Sequence, residues 1–153
     1  MDDIDRHILS CLQQDATQSV ADVAERVGLS TTPCWRRIQI LEREGIIKGR
    51  VALLDAGKLN VGVTVFVRLK TSQHNTEWME TFAKKVSDIP EVVEIYRMSG
   101  DVDYLLRVVV PDIAAYDHVY KRLVAAAEFF DVSSSFAMEC IKSTTELPVR
   151  YAK

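Results

Sequence analysis

Residues 19–47, SVADVAERVGLSTTPCWRRIQILEREGII, decide how this chain is read. The spacing predicts two short helices joined by a tight turn. Ser19 is placed to cap the first, because a serine hydroxyl accepts a free backbone N–H of the first turn. Val20, Val23, Ala24 and Val27 recur at helical intervals and make one apolar face, with Asp22, Glu25 and Arg26 on the wet side. Gly28 follows where a left-handed residue ends a helix, and Leu29 plugs the core from the turn. The second helix opens at Ser30-Thr31-Thr32-Pro33, where Ser30 or Thr32 can cap and proline is tolerated in a first turn. Cys34, Ile38 and Leu41 fall on one face and read as buried. Trp35, Arg36 and Gln39 then point outward, with Arg37 at the border, and Gly45 ends the helix.

That outward face carries chemistry suited to double-stranded DNA. A guanidinium bonds a guanine edge with two donors or grips a phosphate. Ser30, Thr31 and Thr32 sit at a helix N-terminus, where hydroxyls, free N–H groups and the helix dipole favour a phosphate. Lys48 and Arg50, just past the helix, suit backbone contacts from a wing. Between residues 30 and 50 the cations Arg36, Arg37, Arg43, Lys48 and Arg50 outweigh the anions Glu42 and Glu44. The plainer alternative is a solvated helix face, but an exposed tryptophan beside two arginines is unexpected on one. For Arg37 a second alternative stays open, an ion pair with Asp or Glu at the rim of the core.

Composition bounds the rest. The chain has 153 residues, enough for one or two small domains, and is 48% apolar and 27% charged, as globular proteins are. No apolar run approaches the length of a membrane helix, and MDDIDRH at the start is not a secretory signal. Cys11, Cys34 and Cys140 are an odd set, so a disulfide framework is not expected and the cytoplasm is the default compartment. The net charge is −3, so DNA binding has to come from a local patch.

An opening helix over residues 3–14 places Ile4, Ile8, Cys11 and Leu12 on one face, to pack behind the helix pair as a three-helix unit. Residues 46–54, IIKGRVALL, read as a short extended wing, and DAGKLN at 55–60 has turn chemistry. The period then switches. In VGVTVFVRLK (61–70), Val61, Val63, Val65, Val67 and Leu69 alternate with other residues, as in a strand with one face in a core. A helix over 76–86, strands over 92–98 and 104–110, a helix over 113–127 and a strand over 132–142 follow. The order βαββαβ makes a four-stranded antiparallel sheet with two helices on one face. The fold class is therefore α+β, a winged helix-turn-helix followed by a ferredoxin-like domain. The expected boundaries are 1–50 for the DNA-binding domain, 51–60 for the hinge, and 61–153 for the second domain with its tail. Apolar residues on both faces of the sheet imply a second sheet or subunit, at least a homodimer.

The order and spacing of IDRHIL, ADVAERVGLS, TPCWRRIQILEREGII, VALLD, SGDVDYLLRVVVPD and IKSTTELPV over nearly the whole length resemble the Lrp/AsnC family of transcriptional regulators. The resemblance implies a winged helix-turn-helix, an effector domain of the ferredoxin-like kind, dimers that often assemble into octamers, and control by a small amino acid bound between subunits. It places ligand contacts at Ser99, Gly100, Asp101, Val102 and Asp103, with Tyr104 adjoining. Arg97 and Met98 come before them, and the last strand adds Ser134, Phe136, Ala137 and Met138. The loop chemistry suits a zwitterion: Asp101 or Asp103 faces the ammonium, and Arg97 or the N–H groups of Ser99 and Gly100 face the carboxylate. The alternative is a tight turn whose aspartates bond their own backbone. AAAEFFDVSSS lacks the Pro-Gly-Val common in relatives, so the backbone there can differ. Phe136 and Met138 would suit an apolar or sulfur-containing side chain.

An enzyme is not expected. His7, His74 and His118 fall in separate elements without cysteine or acidic partners at metal-ligand spacing, and no glycine-rich phosphate loop is present. No cofactor is expected beyond the amino-acid effector. A ligand sensor that has lost DNA binding would carry a neutral or acidic face, which Trp35, Arg36 and Arg37 contradict.

Overall fold

The computed structural model describes every residue except His74, Glu128 and Lys153. Two compact units result, one of residues Met1–Leu53 with Ile141–Lys153, the other of Leu54–Cys140. The first contains α1 (Asp3–Gln14), α2 (Val20–Arg26) and α3 (Thr31–Arg43). Reciprocal side-chain caps start two of these. Asp2 and Asp5 bond each other's backbone at α1, and Ser19 and Asp22 do the same at α2. Ser30 occupies the N-cap position of α3 but makes no capping bond, and Thr32 lies inside the helix, so α3 starts without a side-chain cap. Gly28 and Gly45 end α2 and α3 at φ +72° and +71°, the left-handed conformation expected of them. The three helices enclose Ile8, Leu9, Cys11, Val23, Ala24, Cys34, Ile38 and Leu41, the faces that the spacing selects.

After α3 the expected wing takes no regular structure over residues 48–55 and pairs with no strand among the described residues. A single extended segment has no ladder to join.

The second unit holds β1 (Val63–Lys70), α4 (Thr76–Ser87), β2 (Val92–Arg97), β3 (Tyr104–Val110), α5 (Ile113–Ala126) and β4 (Asp131–Phe136). The sheet order is β2-β3-β1-β4 and all neighbours are antiparallel. Alternation sends Val65, Val67 and Leu69 to the face that also carries Tyr104, Leu106, Val108 and Val110. Phe82 and Val86 of α4 and Tyr116, Val119 and Leu123 of α5 cover that face. Trp78 stacks on Phe82 with ring centroids 5.1 Å apart, and Tyr104 packs against Phe82 at 4.8 Å.

Two expectations are corrected. The last strand ends at Phe136 and not at residue 142. Its partner decides this: Phe136 pairs with Val65, the Ala137 N–H reaches the Thr64 carbonyl at 2.9 Å, and β1 begins at Val63. Nothing remains to pair with, so Met138 is 96% exposed and Cys140 and Ile141 lie outside the sheet. The C-terminal tail, expected with the second domain, groups with the first unit. There the Gln13 side chain donates to the Leu147 carbonyl (3.0 Å) and accepts from the Leu147 N–H (2.6 Å). Arg6 donates to the Ala152 carbonyl at 3.0 Å, and Val149 packs on the helical core.

Candidate DNA-binding and ligand-binding sites

On α3, Trp35 is 50% exposed. It lines a cleft with Val20, Val23 and Ile38, between α2 and α3. Arg36 is exposed and forms no ion pair among the described residues. Its neighbour Arg37 uses one nitrogen, Nη1, to reach Asp5 Oδ1 and Asp2 Oδ2, each at 2.7 Å. The bonds to Asp5 and then Asp2 raise the Arg37 pKa. The Asp5 N–H, followed by Arg37, lowers that of Asp2 below its ordinary 3.8. Arg37 thus takes the ion pair left open above, and its contact ties α3 to the start of α1.

Glu42 holds two further candidates. Gln39 donates to its Oε2 at 2.9 Å and Arg50 reaches its Oε1 at 2.7 Å. Ser30, Thr31, Thr32 and Lys48 are exposed, and the Ser30 hydroxyl is uncommitted by capping. Arg43 was counted among the cations of the patch but not among the residues expected to contact DNA. It is exposed, and it lies seven residues after Arg36, two helical turns along the same face. That spacing was available in the sequence.

In the second unit, the turn from β2 to β3 is closed by the Met98 N–H donating to the Asp103 carbonyl at 2.8 Å, and Gly100 sits at φ +117°. Asp103 is committed. Its N–H bonds the Leu69 carbonyl (2.9 Å) and its Oδ2 accepts from the buried Thr71 N–H (2.8 Å). It therefore staples the end of β1 to the turn. Tyr104 is buried in the aromatic core and presents nothing to a ligand at the surface. Arg97, Met98, Ser99, Gly100 and Asp101 are exposed. On β4, the Ser134 hydroxyl is hydrogen-bonded to the Tyr116 phenol, and Phe136 meets the Tyr116 ring edge-on at 5.3 Å. Ala137 and Met138 are exposed beyond the strand.

The sheet register separates these two groups. The turn adjoins Leu69, paired with Tyr104, on the β2–β3 side. Phe136 adjoins Val65, four residues back along β1, on the opposite edge. At ~3.3 Å per strand residue the offset along β1 alone is roughly 13 Å. The candidates form two corners of one sheet.

The model of the Lrp/AsnC ligand binding domain matches residues 64–147, and that of a winged helix-turn-helix DNA-binding domain matches residues 1–48. The chain belongs to the Lrp/AsnC family. This Lrp/AsnC protein is 51% identical to the DNA-binding transcriptional activator DecR of Escherichia coli, over 97% of this chain and 99% of that one. A crystal structure of an AsnC family transcriptional regulator from Agrobacterium tumefaciens, 64% identical, superposes with a TM-score of 0.97 over 100% of both chains. A Neisseria meningitidis transcriptional regulator crystallised with L-Met is 35% identical, with a TM-score of 0.92 over 98% of this chain and 97% of that one. The Lrp/AsnC chain is accordingly a DNA-binding transcriptional regulator with a ligand-binding domain, and not an enzyme. Among the described residues no helix is long and apolar enough to cross a membrane.

Proposed function

We propose that this Lrp/AsnC regulator reads double-stranded DNA with Trp35 and Arg36 at the centre of the α3 face. Ser30, Thr31, Thr32, Lys48 and Arg43 grip phosphates around them. Gln39 and Arg50 join by exchanging Glu42 for DNA, and Arg37 supports the helix from behind. The observation that carries this reading is the contrast between two adjacent arginines. Arg37 is held by two carboxylates, whereas Arg36 is exposed with no ionic partner among the described residues. DNA as the partner, together with free Cys11, Cys34 and Cys140, fits a cytoplasmic protein.

Its effector is a small amino acid, apolar or sulfur-containing. The L-Met complex of the Neisseria meningitidis relative supports that class. Arg97 and the Ser99 and Gly100 N–H groups receive the carboxylate, Asp101 the ammonium, and Phe136, Ala137 and Met138 the side chain, with Met98 and Ser134 alongside. Asp103 and Tyr104 shape the turn. A ligand touching both corners needs two copies, so the site forms where subunits meet, in a homodimer that assembles further, to an octamer. The effector binds the alternative assemblies with unequal affinity and so shifts DNA binding.

A thermal-shift screen of the twenty L-amino acids, followed by DNA binding with each hit, tests the reading. An apolar or sulfur-containing hit that also changes DNA affinity is expected. No shift with any of the twenty rejects the effector site.

A further inference from the structure

The C-terminal tail is continuous with β4, and only residues 137–140 lie between the last strand residue, Phe136, and the first tail residue, Ile141. The proposed effector contacts at Ser134, Phe136, Ala137 and Met138 therefore stand at the root of a segment whose far end is docked on α1. That docking is built from few contacts. Gln13 offers its amide to both backbone groups of Leu147, as a strand neighbour would. Arg6 holds the Ala152 carbonyl, and of the described tail residues only Val149 packs on the helical core.

The fit is loose. A cavity of about 300 Å³ lies beside the docked segment, lined by Leu9, Leu12, Ile46, Ile47, Pro148 and Val149 among others. Leu147 stays 74% exposed. Arg6 Nε is buried with no hydrogen-bond partner among the described residues. An open groove beside the segment and a buried donor without a described partner both leave contacts unmade. A segment held by few contacts is one that a ligand with unequal affinity for its docked and released states can move.

We propose that residues 141–152 are a releasable strap, and that amino-acid binding around residues 134–138 changes its hold on α1 and so alters DNA binding. The proposal rests on the effector-site reading above. It assigns Gln13 and Arg6 as positioning residues, because they lie outside the proposed DNA and effector contacts and act through the tail. The strap bears on α1, which packs against α3 through the shared core and through the Arg37 contacts with Asp2 and Asp5.

The test compares the intact chain, a Gln13→Ala variant and a chain truncated after Glu146. DNA selected from a random pool by the intact chain serves as the DNA probe, and the twenty L-amino acids, one at a time, as effectors. Calorimetry reads amino-acid binding and anisotropy reads DNA affinity. Both altered chains should bind the active amino acid with the intact chain's affinity. The intact chain should change its DNA affinity by about 5-fold or more on adding it, and both altered chains by less than about 2-fold. In the intact chain, amide exchange at Leu147 should change when the amino acid is added. A full response retained by both altered chains overturns the strap and leaves the effector site standing. Absence of amino-acid binding by the intact chain overturns both. If the truncated chain fails to fold, Gln13→Ala and Leu147 exchange decide, and a normal response with unchanged exchange overturns the strap.

Discussion

Arg36 and Arg37 differ by one position on α3, a rotation of about 100°, and that rotation separates the proposed DNA contact from a strut. Replacing Arg36 with alanine removes no side-chain hydrogen bond or ion pair among the described residues. Specific DNA affinity should fall by roughly 1–3 kcal/mol, the worth of a bidentate base contact, with an unchanged melting temperature. Arg37→Ala strands Asp2 and Asp5 without their cation, so it should lower the melting temperature by a few degrees and weaken all DNA sequences alike. Competition gel shifts with specific and random DNA, beside thermal melts, separate the two. Equal loss of specificity in both variants would mean that Arg37 also reads bases. Asp103 is a similar case. Asp103→Ala leaves the buried Thr71 N–H without its acceptor and should cost about 1–3 kcal/mol in a denaturant titration, whereas Asp103→Asn keeps an acceptor oxygen and should cost much less. If alanine and asparagine cost the same, the staple is not what Asp103 contributes.

At the scale of elements, caps and alternation account for most boundaries. The seven-residue α2 is too short to stand alone and depends on its ends and its packing. Ser19→Ala removes the acceptor for the Asp22 N–H and should destabilise the first unit by about 1 kcal/mol in chemical denaturation, with no effect on amino-acid binding by the second. An unchanged midpoint would show that the Asp22 half of the box suffices. Ser19, Gly28, Cys34 and Val65 announced their roles in the sequence because the signals are local, a cap, a helix stop and two periods. The end of β4 was not legible, because residues 132–141 go on alternating after β1 has run out of partners. The tail's docking was hidden for a similar reason: TTELPVRYAK has no period, and its anchors Gln13 and Arg6 lie more than 130 positions away in the chain. Of the candidate site, the SGDVD turn was legible as a turn. The commitment of Asp103 to Thr71, 32 residues earlier, needed the folded sheet.

At the scale of the whole molecule, one face of the sheet lies under α4 and α5 and the other carries apolar residues of its own. Phe66 is 38% exposed there, beside Leu105 and Val109 of β3 and Tyr96 of β2. Part of the charge on this face is matched within the chain. Arg107 bonds Glu94 at 2.7 Å and holds its carboxyl below the usual range, Tyr96 donates to the same carboxylate, and Arg68 donates to Ser133. An apolar patch around a central aromatic ring, with one ion pair already formed beside it, is suited to burial against a copy of itself. Phe66→Asp would put an unpaired carboxylate at its centre. Light scattering should then report 17.3 kDa, the single chain, where the parent gives a multiple of it, and far-UV circular dichroism should be unchanged because the inner core is untouched. If the proposed site draws its two corners from different copies, the Phe66→Asp monomer should also lose amino-acid binding without any change at Arg97 or Phe136. A Phe66→Asp chain with the parent mass would move the subunit contact off this face, and a true monomer that still bound the amino acid would place the whole site within one chain.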